Sequence, residues 1–552
     1  TRDLELLEIN ETSSSDRKPL LQSVLNPKSK LGKLNINKQL EYFTNNKQFL
    51  KQTQRIIKSW KTDLDVNIQT KVYDDFYDMW TNIRQDEGFI DKYYYVDIEY
   101  FKFLNNSPHF LQILSIYNLL SPVLSLLVPF ILLLVPFFML KFNGVVITMS
   151  SYYNVLTQIF SKHALGNNVF NIMSDISWEK RIYAIVSVVF YFFSIYQNTL
   201  VCYRFYNNFK DIHNKLFLLK DYLRTTIDNM NTVEQYIKPH DTYNEFTNDM
   251  TIQREKCQTI YEKVQSITDF KVNFNTIGRK VSEIGYIMKY FYEIHINPDI
   301  IETIEYSLGL NAYIENMTSI SSLHREKILN KCSFGSKLKM TDAYYPYLMN
   351  IESIKNNINV DKNMIITGPN ASGKTTILKT TVINLLFSQT YGYGFYSKAT
   401  IPLYDKIHCY LNIPDTSGRD SLFQAEARRC KEIIDELNIS PRKHFCIFDE
   451  LFSGTNPIEA CASSYGFIKY LVDTQNMDFI LTTHLLDLCS LLDNVIQNNN
   501  MGVEKTDNFN FKYTYKLNSG ISSIKGGLKV LSDLEYPVEI LNLSNKMIQS
   551  NI

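Results

Sequence analysis

The residues best placed for chemistry begin at Gly368. Gly368-Pro369-Asn370-Ala371-Ser372-Gly373-Lys374-Thr375 fits the spacing G-x-x-x-x-G-K-[ST], and Thr376 follows it. Glycines at these positions let successive backbone N–H groups curl around phosphate oxygens. The lysine then reaches the β- and γ-phosphates, and the hydroxyl beside it can ligate Mg²⁺. Lys374 and Thr375 are therefore expected to hold ATP and its magnesium. Hydrolysis also asks for carboxylates. Asp449-Glu450 follows the apolar run Phe445–Phe448, so Asp449 is expected at the metal, with Glu450 polarising the attacking water. His484 stands after Phe479–Leu481 and the pair Thr482-Thr483, where a histidine could sense the γ-phosphate or position water.

These residues need strands and a helix to hold them. Met364–Thr367 has a short buried-strand pattern, and the run after Thr375 (TILKTTVINLLF) is helix-forming, so the glycine loop stands between a strand and a helix. The apolar runs before Asp449 and before Thr482 are two further strands. The expectation is an α/β P-loop domain over 341–552 with ATP and Mg²⁺ as its cofactors.

An Asp-Glu pair at one strand end and a histidine after the next strand is the ABC-type ATPase layout. The Leu-Ser-Gly-Gly-Gln signature of transporter ATPases does not occur. The motifs instead resemble those of the MutS family of DNA mismatch-repair ATPases. The loop GPNASGKTT, Tyr345-Pro346 ahead of it, Ile401-Pro402 leading to Asp405-Lys406-Ile407, the segment Asp415–Glu426, Asp449-Glu450 with Gly454-Thr455, Thr483-His484, and the closing stretch Tyr515–Met547 with Pro537 are all similar to family motifs. The resemblance implies a homodimer or heterodimer formed through the ATPase domain, with Ser421 acting in trans on the partner's nucleotide. It also implies a helical lever domain before the ATPase and a possible DNA substrate. Departures are Leu422 for threonine, Ser453 for arginine, and Asn456-Pro457-Ile458-Glu459 for a Ser/Thr-rich run. The Phe-x-Glu element of a mismatch sensor is not recognisable.

The wider composition is that of a folded multidomain chain. Lys plus Arg and Asp plus Glu are both 57, so the net charge is zero and a broadly basic, nucleic-acid-coating surface is excluded. The eight cysteines include no C-x-x-C pair, so neither a zinc ribbon nor a disulfide framework is expected, and no motif calls for haem. The start of the chain is polar, with no secretory leader pattern.

Two stretches carry no charge. Phe103–Leu140 includes the run VLSLLVPFILLLVPFFML, and Ile182–Tyr203 is the second. Both are expected to cross a membrane, at about 119–140 and 182–203. Pro122, Pro129 and Pro136 leave a kinked span or a re-entrant hairpin open for the first. Lys and Arg after the second stretch place the ATPase on the cytoplasmic side of a multi-pass protein.

The expected order is a helical N-terminal region (1–109), a membrane region (110–205), a helical lever-like domain (206–340) and the ATPase domain (341–552). In the N-terminal region, Trp60, Tyr73, Phe76, Tyr77 and Trp80 fall at helical spacing and are expected in a core. Three functions compete: a membrane-anchored MutS-like ATPase handling DNA, an ABC-like ATPase working on the membrane or a membrane partner, and a scaffold clamped by ATP.

Overall fold

A computed structural model describes residues 4–8, 18–60, 66–144, 146–162, 178–268, 277–348, 353–411, 421–440, 442–505, 511–522, 524 and 526–550, with some side chains inside helices outside this set. The segment Asp415–Asp420 of the similarity to the MutS motifs lies outside the described residues, as do residues 145 and 163–177 of the loop between the two uncharged stretches. The chain forms two compact units that interleave along the sequence. One comprises Thr1–Thr70, Met230–Met250 and Gly309–Ile552, and the other Lys71–Asn229 and Thr251–Leu308. A reading along the chain has no means to show such interleaving, because helices leave one unit and return to it far later.

The first unit holds both sheets. Its strands are β1 (Asn330–Phe334), β2 (Leu338–Ala343), β3 (Asn356–Val360), β4 (Met364–Thr367), β5 (Tyr393–Gly394), β6 (Lys398–Ile401), β7 (Lys406–Tyr410), β8 (His444–Asp449), β9 (Met477–Thr482), β10 (Gln497–Lys505) and β11 (Phe511–Ser519). The larger sheet runs β11-β10-β4-β9-β8-β7, parallel except where β11 turns back on β10. Its central strands are apolar without alternation, as strands covered on both faces must be. Ile365, Ile366, Phe445, Ile447, Phe448, Phe479, Ile480 and Leu481 have no solvent exposure. β4 spans the four residues expected from sequence, and β8 and β9 extend the expected runs by a residue or more at their ends. The closing hairpin begins earlier than the similarity to family motifs indicated. β10 is its first strand, and Asn498-Asn499-Asn500 masked it by breaking the apolar pattern.

The smaller sheet runs β3-β2-β6-β1-β5 and is covered on one face only, so exposed and buried residues alternate along β2 and β3. The P-loop helix Lys374–Tyr391 is buried on most of its surface. Its far end is tied to the N-terminal segment. Gln389 Nε2 donates to the carbonyls of Thr44 (3.1 Å) and Tyr404 (2.8 Å), and Gln54 Nε2 donates to those of Cys332 (2.9 Å) and Gly392 (2.7 Å).

The second unit is helical. The aromatic stripe is core, with Tyr73, Phe76 and Trp80 buried and the rings of Phe76 and Tyr222 stacked at 3.8 Å. Trp60 is buried too, in the first unit. In the long helix Trp178–Ile237 the buried face is Ile212, Leu216, Leu219, Tyr222 and Leu223, while Phe217 is exposed.

The first uncharged stretch is one helix, Pro108–Phe142, and its prolines do not end it. A proline lacks the N–H that would meet the carbonyl four residues back. Pro122 thereby frees the Asn118 carbonyl, which accepts from Ser121 Oγ at 3.0 Å. Pro129 frees the Ser125 carbonyl, which accepts from Tyr191 Oη of the second stretch at 3.0 Å. Asn198 Nδ2 donates to Ser125 Oγ, and Cys202 Sγ lies 3.4 Å from the Leu119 carbonyl. The two stretches thus share a polar seam, while Phe130, Leu134, Phe138, Val189, Phe190 and Phe192 are exposed on their outer faces.

Among the described residues, one helical segment is long and apolar enough to cross a membrane, Pro108–Val128, and Leu133–Phe142 is a shorter apolar piece. The expected second span lies in the Trp178–Ile237 helix, but several of its side chains are outside the described set, and it does not add a second candidate.

Candidate nucleotide site

The site forms where β4, β8 and β9 end. After Thr367 the backbone turns through left-handed conformations at Ala371 (φ 62°) and Gly373 (φ 95°) before the helix starts at Lys374. Gly373 caps that helix with no side chain, so free N–H groups and the positive end of the helix dipole face the same concavity. A cleft of about 670 Å³ opens there, lined by Asn370, Ala371, Lys374, Thr375, Thr376 and Glu450, with Tyr345, Ile354 and Tyr515 on its far wall. Gly368, Pro369 and Ser372 lie buried beneath it.

Lys374 Nζ folds over the loop. It donates to the carbonyls of Gly368 (3.1 Å) and Pro369 (3.3 Å) and stands 3.1 Å from His484 Nε2. Burial depresses its pKa, and the nearby Glu450 and Asp449 carboxylates partly offset this. Thr375 Oγ1 donates to Asp449 Oδ2 at 2.8 Å, and Thr482 Oγ1 donates to the other carboxylate oxygen. Asp449 is thus held from both sides, facing the first turn of the P-loop helix.

Glu450 leaves β8 in a left-handed conformation (φ 53°), its N–H donating to the Thr482 carbonyl at 3.1 Å. That sparsely populated geometry turns its side chain to His484, whose Nε2 lies 3.1 Å from Glu450 Oε1. The bond from His484 is the largest cause holding the Glu450 carboxyl below its usual range. Burial opposes it, and the charges of His484 and Lys374 add to it. Lys374, Thr375, Asp449, Glu450 and His484, read from three separate stretches of sequence, therefore converge on one point.

Ser421 lies elsewhere. It caps the helix Leu422–Ile439 in a reciprocal box with Gln424, and among the described residues it does not line the P-loop cleft. Glu426, one turn into that helix, belongs to a motif to which sequence reasoning gave no individual role. The residue is 2% exposed, and its carboxylate accepts from Ser453 N (3.0 Å), Ser453 Oγ (2.9 Å) and Gly454 N (3.1 Å). Ser453, the residue that departs from the family's arginine, thus joins the loop after Glu450 to the Ser421 helix. Thr482 was also missed as a partner of Asp449. Its signal was the polar residue ending an apolar strand.

The residues present fit Mg²⁺ and a polyphosphate. Ser372 Oγ, in the glycine loop two residues before Lys374, is buried with no hydrogen-bond partner among the described residues. A paired hydroxyl and carboxylate, Thr375 and Asp449, is a hard oxygen donor set suited to Mg²⁺.

A parallel sheet, a phosphate-cradling loop and an Asp-Glu strand end define a P-loop nucleotide-binding domain. Residues 364–551 match the family model of MutS domain V. The chain is 27% identical to the endonuclease MutS2 of Thermus thermophilus over 250 residues, 44% of this chain and 32% of that protein. It is 24% identical to the DNA mismatch repair protein MutS of Persephonella marina over 319 residues, 56% of this chain and 35% of that protein. Over 205 residues it is 27% identical to the DNA mismatch repair protein MSH3 of Yarrowia lipolytica, 35% of this chain and 19% of that protein. The chain thus spans about a third of the length of the first two relatives.

Proposed function

We propose that the chain is a MutS-like ATPase that binds and hydrolyses Mg²⁺-ATP at a dimer interface and uses the cycle to move helical arms, acting on DNA from a membrane anchor. The observation that carries this reading is the convergence of Lys374, Thr375, Asp449, Glu450 and His484. Loop N–H groups and Lys374 bind the phosphates, with Lys374 exchanging its carbonyl partners for phosphate oxygens. Thr375 and Asp449 hold Mg²⁺, which neutralises phosphate charge when bound. Glu450 orients the attacking water and accepts its proton, and His484 keeps Glu450 ionised and aimed. Ser421 completes the partner's site in trans, as the similarity to the family implies.

The membrane part of the proposal rests on the second unit. Leaving one large apolar side chain in water rather than burying it costs about 1.5–3 kcal/mol. The outer faces of the two uncharged stretches expose many such side chains, and carbonyls freed by proline are met by side-chain donors, as lipid requires. The proposal puts the ATPase on the cytoplasmic side, where ATP is available.

That same surface favours a second reading, an ATPase whose work is done on a membrane partner without DNA. ATP turnover by the detergent-solubilised full chain, with and without duplex, branched and single-stranded DNA, separates the two. Stimulation by a DNA supports the first reading, and indifference to every DNA together with no DNA binding at low salt supports the second.

A further inference from the structure

Zero net charge leaves any DNA contact to a local patch, and the exposed face of the smaller sheet has the chemistry of one. The buried face of this sheet is apolar, with Cys332, Met340, Ala399, Ile358 and Val360. The opposite face is open to solvent and polar. Cys332 pairs with Ala399, so one residue back on these parallel strands Lys331 and Lys398 stand side by side, both exposed. Lys398 is in register with Thr341 on the next strand. A second row crosses the same face: Ser333, Thr400, Lys339 and Asn359 are successive partners from β1 to β3.

Like charges directly across a strand pair destabilise a sheet. Among the described residues, no carboxylate forms an ion pair with Lys331 or Lys398. Two acids do face this region. Asp361 is shared by Lys337 (3.2 Å) and Lys339 (3.4 Å), and Asp342 accepts from Ser397 Oγ at 2.9 Å. The face keeps a positive balance at a cost to its own pairing.

We propose that this face binds the phosphate backbone of duplex DNA without regard to sequence. The inference rests on the DNA-directed form of the function above and assigns it a surface. Lysines interleaved with hydroxyl and amide groups are the donors that contact phosphates. The first row ends at Tyr393, the β5 partner of Lys331, but that ring is buried with its hydroxyl donating to the Gln54 carbonyl at 3.0 Å, so neither row offers an exposed aromatic platform for unstacked bases, which disfavours a single strand. The same lack of exposed apolar or aromatic side chains disfavours a lipid surface, where such groups anchor the contact.

The test uses the full chain in detergent and a short, labelled, mixed-sequence duplex across a salt series, with Lys469→Gln on a distant exposed helix as control. The double variant Lys331→Gln/Lys398→Gln is expected to bind duplex at least about tenfold more weakly at low salt. The slope of log affinity against log salt should become shallower by about two, one for each phosphate that a lysine no longer neutralises. Lys339→Gln alone should weaken binding less, and ATP turnover without DNA should be unchanged in every variant. Wild-type duplex affinity and slope in the double variant would overturn the proposal. So would weakened binding to phosphatidylserine vesicles with duplex binding intact. A wild-type chain that hydrolyses ATP yet binds no duplex at low salt would also overturn it, while leaving the ATPase assignment standing.

Discussion

At the scale of residues, turnover depends on Glu450 and the groups that set its charge. A water-activating carboxylate works only when ionised. Glu450 is held below the usual carboxylate range chiefly by His484, so the acid loss of turnover should come at a pH beneath that range. The same depression makes a contribution to stability that is present above the unfolded pKa and lost as pH falls through the folded one. In His484→Ala the largest lowering influence is gone and the opposing burial remains. The acid limb of the kcat profile is therefore expected to move to higher pH, alongside a fall in rate, and an unmoved limb would separate His484 from Glu450. Glu426 is tested through stability. Glu426→Gln keeps the size of the side chain but removes charge-assisted bonds to Ser453 and Gly454, and should cost about 2 kcal/mol in denaturant unfolding. Ser453→Ala, which keeps its N–H bond, should cost about half as much.

At the scale of elements, the close packing of the C-terminal segment against the P-loop makes a paired prediction. A Cβ on Gly526 would lie 2.5 Å from Pro369 Cβ, whereas one on Gly527 meets nothing within 4 Å. Gly526→Ala should push the closing segment off the loop and raise the KM for ATP severalfold, and Gly527→Ala should leave it unchanged. The elements also show what was legible in the sequence. The strands ending at Thr367, Asp449 and Thr482 could be read because a doubly covered parallel strand is apolar at every position. β10 could not, because its Asn498–Asn500 run makes hydrogen bonds that no periodicity reveals, such as Asn498 Nδ2 to the Cys489 carbonyl at 3.2 Å. The prolines of Pro108–Phe142 left kink and hairpin both open from sequence. The helix persists because Ser121 and Tyr191 meet two freed carbonyls, and the second of these donors comes from far along the chain. The clasp of Glu426 on Ser453 was hidden for the same reason.

At the scale of the whole molecule, the nucleotide site lies in one unit and the apolar helical surface in the other. The nucleotide site was largely readable from motifs, while the division into interleaved units was not, since Thr1–Thr70 groups with Gly309–Ile552 only in three dimensions. The claim on which the rest depends is that this chain turns over ATP through Glu450. The most direct measurement compares steady-state hydrolysis and ATP binding in purified full-length wild type and Glu450→Gln. The expected result is a loss of turnover of about 10²–10⁴-fold with ATP affinity retained. Glu450→Gln protein that hydrolyses ATP at the wild-type rate would contradict the account.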